Sequence, residues 1–293
     1  MQQAGRGRRV SWVLAPPTAF THTPASVPRP RRFGGAVRPQ PGSRPHPHPS
    51  LVSPDTFLQV ALNGDRVHPA APRTPAAIAD AAYASMRAGA HSVHVHAFTP
   101  DGHETLEAAA CGDVLRAIRA RCPGLPISLT TAATIVPDPA ERLRVVAGWH
   151  ELPDLVTANL GEPGIIELCH HLLARGVGIE AGLLTLDAAR AFVDSGLAPR
   201  CRRVLLEPLD EDPAVAIAHV AAMEEVLVAA GLALDQVHHG YGVACWAVNR
   251  RALARGHGIR TGFEDVTVLP DGSPAQDNAA LVAAAAALMR HHA

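Results

Sequence analysis

From residue 57 onward, the chain alternates between short apolar runs and longer segments with apolar residues three or four positions apart. Short apolar runs bounded by turn residues are typical of buried strands, and the longer spacing is typical of helices packed on a sheet. The predicted strands are 57–62, 92–97, 126–131, 155–159, 177–181, 203–207, 236–239 and 259–263. The predicted helices are 75–87, 104–121, 140–149, 164–175, 187–194, 213–230, 246–255 and 277–291.

The regular strand–helix order predicts the fold class. A doubly wound sheet uses similar units, but eight strand–helix repeats in about 235 residues match a (β/α)8 TIM barrel. We therefore predict a TIM-barrel catalytic domain over residues 57–293. Active sites of such barrels lie at the carboxyl ends of the strands, so polar residues at those ends are the candidates for chemistry.

The first part of the chain has a different composition. Residues 1–50 contain ten prolines and eight arginines but no Asp or Glu. A segment this rich in proline and charge cannot bury a core, so residues 1–56 are predicted to be a disordered extension that precedes the barrel.

Composition narrows the function classes. After residue 50 the chain has 18 arginines against 27 acidic residues, an acidic balance that argues against a nucleic-acid surface. The chain contains no lysine, which excludes Schiff-base catalysis. No apolar run is long enough to span a bilayer, and five scattered cysteines suggest a reducing cytoplasm.

The second predicted strand carries the strongest chemical signal, His94 and His96. Side chains alternate along a strand, so these two imidazoles point the same way and can form half of a zinc site. Ordinary hydrogen bonding by both histidines is the alternative. Glu264 follows the eighth strand, and in a closed barrel the eighth, first and second strands lie side by side. Two histidines and one carboxylate, with an open fourth position, make a known catalytic zinc set.

A second candidate group lies beside Glu264. If the backbone turns at the end of the strand, Asp265 can approach Arg260, which would keep this carboxylate ionised as a proton acceptor near the metal. A surface salt bridge is the alternative interpretation. Several other polar residues at strand ends are predicted to bind substrate. They are Asn63, Arg66, Thr130, Thr131, Thr157, Asn159 and Glu180. Glu207 is expected only at the barrel rim, and one of His238 and His239 is expected to face outward.

Several motifs occur in an order that resembles one known family. They are Asn63-Gly64, Gly89-Ala90, His94-Val95-His96, Thr130-Thr131, Gly178-Ile179-Glu180, Trp246, the segment 258–265, Asp271-Gly272 and the segment 277–282. In this order, over about residues 57–293, the chain resembles the β-keto acid cleavage enzymes, the family of the 3-keto-5-aminohexanoate cleavage enzyme. The combination of the His-x-His motif with the Arg-x-Gly-x-Glu-Asp motif is a specific signal for this family.

The resemblance implies a zinc-dependent TIM barrel, or one with another divalent metal, that uses acetyl-CoA as co-substrate. A β-keto acid condenses with acetyl-CoA, and retro-Claisen cleavage then gives acetoacetate and a new acyl-CoA. By family pattern, His94, His96 and Glu264 hold the metal, and Arg260 with Asp265 removes the proton next to the ketone. Thr130 and Thr157 lie where the family has substrate-binding hydroxyls. The resemblance also implies a homo-oligomer, a tetramer by analogy.

The sequence departs from the family pattern around the expected pocket. Ala97-Phe98 follows the second histidine where the family usually has an arginine, and Ala132-Ala133 replaces a Gly-Gly turn. Asp65-Arg66 follows the first strand, and Arg66 is a candidate partner for a substrate carboxylate. These differences leave the particular β-keto acid open. The alternatives are a metal-dependent hydrolase on the same fold and a barrel that binds a keto acid or acyl-CoA without turnover.

Overall fold

The predicted barrel is present. The computed structural model describes residues 56–65 and 68–292. The parallel strands of the barrel are β1 (Leu58–Ala61), β2 (Ser92–Val95), β5 (Ile127–Thr130), β6 (Leu155–Asn159), β7 (Gly178–Leu183), β8 (Arg203–Leu206), β9 (Gln236–His238) and β10 (Gly258–Thr261). These eight strands close in the order β1-β10-β9-β8-β7-β6-β5-β2. The predicted N-terminal extension and Arg66 lie outside the described residues.

Within the described residues, eight α-helices surround the barrel. They are α1 (Pro75–Ala88), α2 (Ala108–Arg121), α3 (Pro139–Ala147), α4 (Ile165–Ala174), α5 (Leu186–Ser195), α6 (Pro213–Ala229), α7 (Ala244–Ala254) and α8 (Asn278–His292). In α1, α3 and α6, the side chain of the N-cap residue accepts a hydrogen bond from a backbone N–H of the first turn. These N-cap residues are Thr74 for α1, Asp138 for α3 and Asp212 for α6. None of the described helices has both the length and the apolar character needed to cross a membrane.

The prediction of a helix from residue 104 was wrong at its start. Two short strands, β3 (Ala97–Phe98) and β4 (Glu104–Thr105), form an antiparallel hairpin after β2, and the helix begins only at Ala108. Gly102, with φ 86°, and the bond from Thr99 N–H to the His103 carbonyl at 2.8 Å close this hairpin. The hairpin places Glu104 above β2, next to His96.

Successive side chains along the strands point alternately out of the barrel toward the helices and into the barrel. Val93 and Val95 of β2 join the hydrophobic cluster that the strands share with the helices. His94, between them, contacts Ser128 and Thr157 from other strands. The barrel therefore has an apolar core outside its sheet and a polar interior within it, which supports the side chains at its carboxyl end.

Candidate active site

His94, His96 and Glu264 come together at the carboxyl end of the barrel. β1 pairs with both β2 and β10, which places Glu264 beside the two histidines as the sequence predicts. One carboxylate oxygen, Oε2 of Glu264, lies 3.6 Å from Nε2 of His94 and 3.6 Å from Nε2 of His96. Their three ligand atoms all lie within 4.8 Å of one another. This arrangement directs three ligand atoms toward one point.

The three residues fit a divalent metal ion. Zinc bonds of roughly 2.0–2.2 Å at tetrahedral angles put neighbouring ligand atoms about 3.4 Å apart, close to the 3.6 Å separations here. Both histidines turn Nε2 toward Glu264, and each Nδ1 contacts another protein group. Metal-ligating histidines usually use their two ring nitrogens in this way.

Two glycines allow close approaches around Glu264, Gly262 to the backbone of β1 and Gly64 to the Glu264 side chain. Gly262 has φ 145°, and a Cβ there would lie 2.0 Å from the Ala61 carbonyl oxygen. A Cβ on Gly64 would lie 2.5 Å from Cγ of Glu264. The chain turns after β10 through a bond from Asp265 N–H to the Gly262 carbonyl at 2.9 Å. Because of this turn, Glu264 and Asp265 both point toward Arg260, although a regular strand would separate them.

Each Nδ1 atom has a different partner. Nδ1 of His96 is hydrogen-bonded to the Glu104 carboxylate. Nδ1 of His94 lies 3.2 Å from Oγ1 of Thr157 and 3.3 Å from Oγ of Ser128. Burial and nearby Arg260 hold the pKa of His94 well below its ordinary value. Burial also opposes protonation of His96, but Glu264 and Glu104 outweigh it and raise its pKa.

Arg260 and Asp265 form the predicted pair. Nε of Arg260 donates to Oδ2 of Asp265 at 3.1 Å, and Nη2 donates to Oδ1 at 2.6 Å. Nη2 also donates to Oε1 of Glu264 at 3.0 Å. Burial alone would raise the pKa of Asp265, but Arg260 and His239 hold it below its ordinary value. The carboxylate therefore stays ionised although it is buried.

His239 and Glu207 extend this pair. Nδ1 of His239 lies 3.4 Å from Oδ1 of Asp265, and its Nε2 lies 3.4 Å from Oε2 of Glu207. Burial raises the pKa of Glu207. His238, the next residue back, instead contacts Gln236 and His257. One histidine of the pair thus faces the site and the other faces away, as predicted.

The residues predicted to bind substrate fall into two groups. Thr130 and Thr157 are register partners on β5 and β6, with Thr157 in contact with His94. Asn159 lies two residues further along β6 and lines a cavity of about 580 Å³ with Leu160 and Leu184. This first group lies at the carboxyl end of the barrel, where Thr157 contacts the metal-ligand candidate His94.

The second group is fully buried and engaged in other contacts. Asn63 donates to the His96 carbonyl at 3.1 Å and accepts from its N–H at 2.9 Å. Thr131 donates to the Thr157 carbonyl at 2.8 Å. The Glu180 carboxylate lies inside the barrel and has no solvent exposure. These contacts hold the strand ends in place.

Two contributors to the site, Ser128 and Glu104, were missed in the sequence. Ser128 lies two residues before Thr130, so strand alternation places it on the same face and could have identified it. His239, which directly follows β9, was already a candidate from its position at a strand end, and it is the histidine of its pair that faces the site. Glu104 gave no signal, because a two-residue strand is too short to leave a hydrophobic pattern.

Comparisons with known proteins show which family this chain resembles. The family model of the beta-keto acid cleavage enzymes matches residues 55–171 and 214–292. A 3,5-dioxohexanoate:acetyl-CoA acetone transferase from Paraburkholderia graminis is 36% identical over 102 residues, or 34% of this chain and 32% of that protein. A 3-keto-5-aminohexanoate cleavage enzyme from Fusobacterium nucleatum subsp. nucleatum is 25% identical over 232 residues, covering 73% of this chain and 82% of the relative.

The fold also matches solved structures. A ternary complex of ObcA with a C4-CoA adduct and oxalate superposes with a TM-score of 0.63 at 17% identity. The match covers 76% of this chain and 64% of that one, so the chain spans less than two thirds of the length of ObcA. The family match covers well over half of the sequence and includes His94, His96, Glu264 and the Arg260–Asp265 pair. The chain belongs to the β-keto acid cleavage enzyme family.

Proposed function

We propose that this protein condenses a β-keto acid with acetyl-CoA and cleaves the product to acetoacetate and a new acyl-CoA. His94, His96 and Glu264 hold a divalent metal ion, zinc in the first instance. The observation that carries the proposal is the pair of hydrogen bonds from Nη2 of Arg260. This atom donates to the metal-ligand candidate Glu264 at 3.0 Å and to Asp265 at 2.6 Å. One guanidinium therefore fixes a metal ligand and an ionised carboxylate side by side.

The metal ion would supply the positive charge that polarises the ketone of the substrate and makes its neighbouring carbon acidic. Asp265 accepts the proton from that carbon, and Arg260 keeps Asp265 ionised until then. The resulting carbanion attacks the thioester carbon of acetyl-CoA and releases the CoA thiolate. The thiolate then attacks the original ketone carbon, the carbon–carbon bond breaks, and the acetoacetate carbanion regains a proton.

The hydroxyls of Thr130 and Thr157 orient the substrate in this scheme. They occupy adjacent positions on β5 and β6. Asn159 and the cavity beside it accommodate the variable part of the β-keto acid. The cavity walls include the apolar residues Leu160, Leu184 and Ala188. They also include Glu162 and Asp187, which disfavour an anionic substituent there.

The product assay tests this proposal. Zinc-loaded protein is incubated with acetyl-CoA and a panel of β-keto acids, and acetoacetate and acyl-CoA are measured. The proposal predicts both products in equal amounts with at least one acid, and neither product without acetyl-CoA.

A metal-dependent hydrolase is the second candidate, since Glu207, His239 and Asp265 form another group with metal-ligand spacing. Arg260 donates to both oxygens of Asp265, and a guanidinium in that position opposes a second cation. Hydrolysis of a test amide or lactone, without acetoacetate from any acid, would favour the hydrolase. A barrel that binds acyl-CoA without turnover would give neither result.

A further inference from the structure

Glu180 is a buried carboxylate whose contacts lead to the metal-ligand candidate His94. It lies on β7, inside the barrel, with no solvent exposure. Nε2 of Gln59 donates to its two oxygens at 3.0 and 3.2 Å, and Nε of Arg203 lies 3.3 Å from Oε1. Burying a carboxylate is costly even when it is paired, so an interior ion pair of this kind is weak evidence for a stabilising role.

Two hydroxyls connect Glu180 to His94. Oγ of Ser128 donates to Oε2 of Glu180 at 2.5 Å, and Oγ1 of Thr157 lies 3.4 Å from the same oxygen. The same two hydroxyl oxygens lie 3.3 Å and 3.2 Å from Nδ1 of His94. The path therefore runs from a carboxylate, through hydroxyls, to one ring nitrogen.

The direction of these bonds follows from the number of protons. A hydroxyl has one proton, and Ser128 uses it in the hydrogen bond that it donates to Oε2 of Glu180. Toward His94, Ser128 then has only lone pairs to offer. Nδ1 of His94 must carry the proton, which leaves the lone pair on Nε2, the atom that faces Glu264.

We infer that Glu180 is a positioning residue that acts through Ser128 and Thr157 to fix the ring and tautomer of His94 for metal binding. Arg203 and Gln59 hold its carboxylate in place from the other side. His96 has a direct carboxylate partner, Glu104, whereas His94 has this relayed one. The inference rests on the proposed metal site, and it replaces substrate contact as the role of Glu180.

The test measures metal affinity rather than turnover. Full-length protein is stripped of metal and titrated with Zn²⁺ against a chelating indicator, and the visible spectrum of the Co²⁺ form is recorded. Glu180→Gln and Ser128→Ala should each weaken Zn²⁺ binding about 10- to 100-fold and alter the Co²⁺ spectrum. Both residues act in one hydrogen-bonded path. The double variant should therefore lose little more Zn²⁺ affinity than the single variant that binds Zn²⁺ less tightly.

Glu224→Gln is the matched control. Glu224 is also a buried carboxylate, but its partners are Arg251, Arg255 and His257 on the helix side of the sheet. This control should lower thermal stability and leave metal affinity and the Co²⁺ spectrum unchanged. A purely structural role for Glu180 would give the same pattern in Glu180→Gln.

The outcomes separate this inference from the proposed function. If Ser128→Ala and Glu180→Gln fold and bind Zn²⁺ like the wild type, while His94→Ala does not bind, the inference is wrong and the metal site stands. If His94→Ala also keeps the metal, the metal site itself is wrong and the inference is overturned with it. Should Glu180→Gln fail to fold, Ser128→Ala decides, because it removes only a hydroxyl.

Discussion

Two buried charge clusters in this barrel differ in their balance. The helix cluster, which comprises Glu224, Arg251, Arg255 and His257, surrounds one carboxylate with hydrogen bonds of 2.6, 2.7 and 3.1 Å. The rim cluster, which comprises Glu207, Arg260, Glu264 and Asp265, instead places three carboxylates around one guanidinium, at 3.8, 3.0 and 2.6 Å.

The difference indicates which cluster is built for structure and which for chemistry. Positive groups outnumber the carboxylate in the helix cluster, so its acid is neutralised within the fold. Carboxylates outnumber the guanidinium in the rim cluster, and such an excess of negative charge is costly to bury unless a cation joins it. In the proposed site, the neighbouring His94 and His96 would supply the imidazole ligands for such a cation.

The largest expected effect comes from removing the histidine ligands. His94→Ala combined with His96→Ala should abolish stoichiometric metal binding and lower kcat/KM by about three orders of magnitude, since a metal ion supplies several kcal/mol of charge stabilisation. Metal content after dialysis and the rate of acetoacetate formation measure this. His219→Ala, at an exposed histidine, is the control and should change neither. Full metal occupancy in the double variant would contradict the site.

Asp265→Asn should have the next largest effect. The amide cannot accept the proton, so kcat should fall about 100- to 10,000-fold while metal content stays near that of the wild type. Asp235→Asn, at an exposed acid paired with Arg202, is the matched control. A variant that loses its metal together with its activity would show that Asp265 supports the ligands rather than the chemistry.

Breaking the helix cluster should affect stability alone. Glu224→Gln removes the buried acid that Arg251, Arg255 and His257 share and should lower the free energy of unfolding by about 2–4 kcal/mol. Turnover per folded molecule should remain unchanged. Chemical denaturation and the assay of the soluble enzyme measure the two effects. A loss of activity without a loss of stability would remove the distinction between the clusters.

The helix cluster also predicts a pH dependence. Burial alone would raise the pKa of Glu224, but hydrogen bonds from Arg251, His257 and Arg255 lower it from 4.5 to about 2. Because the pKa is lower in the folded state, this stabilisation is present above pH 4.5 and is lost as the pH falls toward 2. Glu224→Gln should therefore have a flatter stability profile than the wild type over that interval.

Glu104→Gln should have the smallest effect on the rim. A neutral amide can still accept from Nδ1 of His96, so Zn²⁺ affinity should fall only about tenfold. Glu107→Gln, at an exposed acid in the same loop, is the control. Equal affinities in the two variants would mean that the hairpin does not support His96.

Much of the barrel and the metal-ligand geometry could be predicted from the sequence. The eight repeats are regular, and the spacing of His94 and His96 fixes their common face. The family match was also anticipated by its motifs. These features depend on strand periodicity and on motifs, both of which are visible in one dimension.

The remaining features depend on how the chain turns beyond the strands. The bend at Gly262 brings Glu264 and Asp265 to the same guanidinium, and only the closed barrel reveals how near His239 and Glu207 lie to them. Glu104 contacts His96 because of a hairpin that the hydrophobic pattern of the sequence does not predict. The position of Glu180 on its strand predicts a substrate-binding residue, because the sequence does not indicate how deep in the barrel its side chain lies.

Hydrogen exchange at the carbon next to the ketone tests the central claim most directly. A β-keto acid is incubated in D₂O with metal-loaded protein but without acetyl-CoA, and the loss of its α-proton signal is followed by NMR. The wild type should accelerate exchange above the spontaneous rate, and neither the metal-free protein nor Asp265→Asn should do so. Exchange by Asp265→Asn at the wild-type rate would contradict the account.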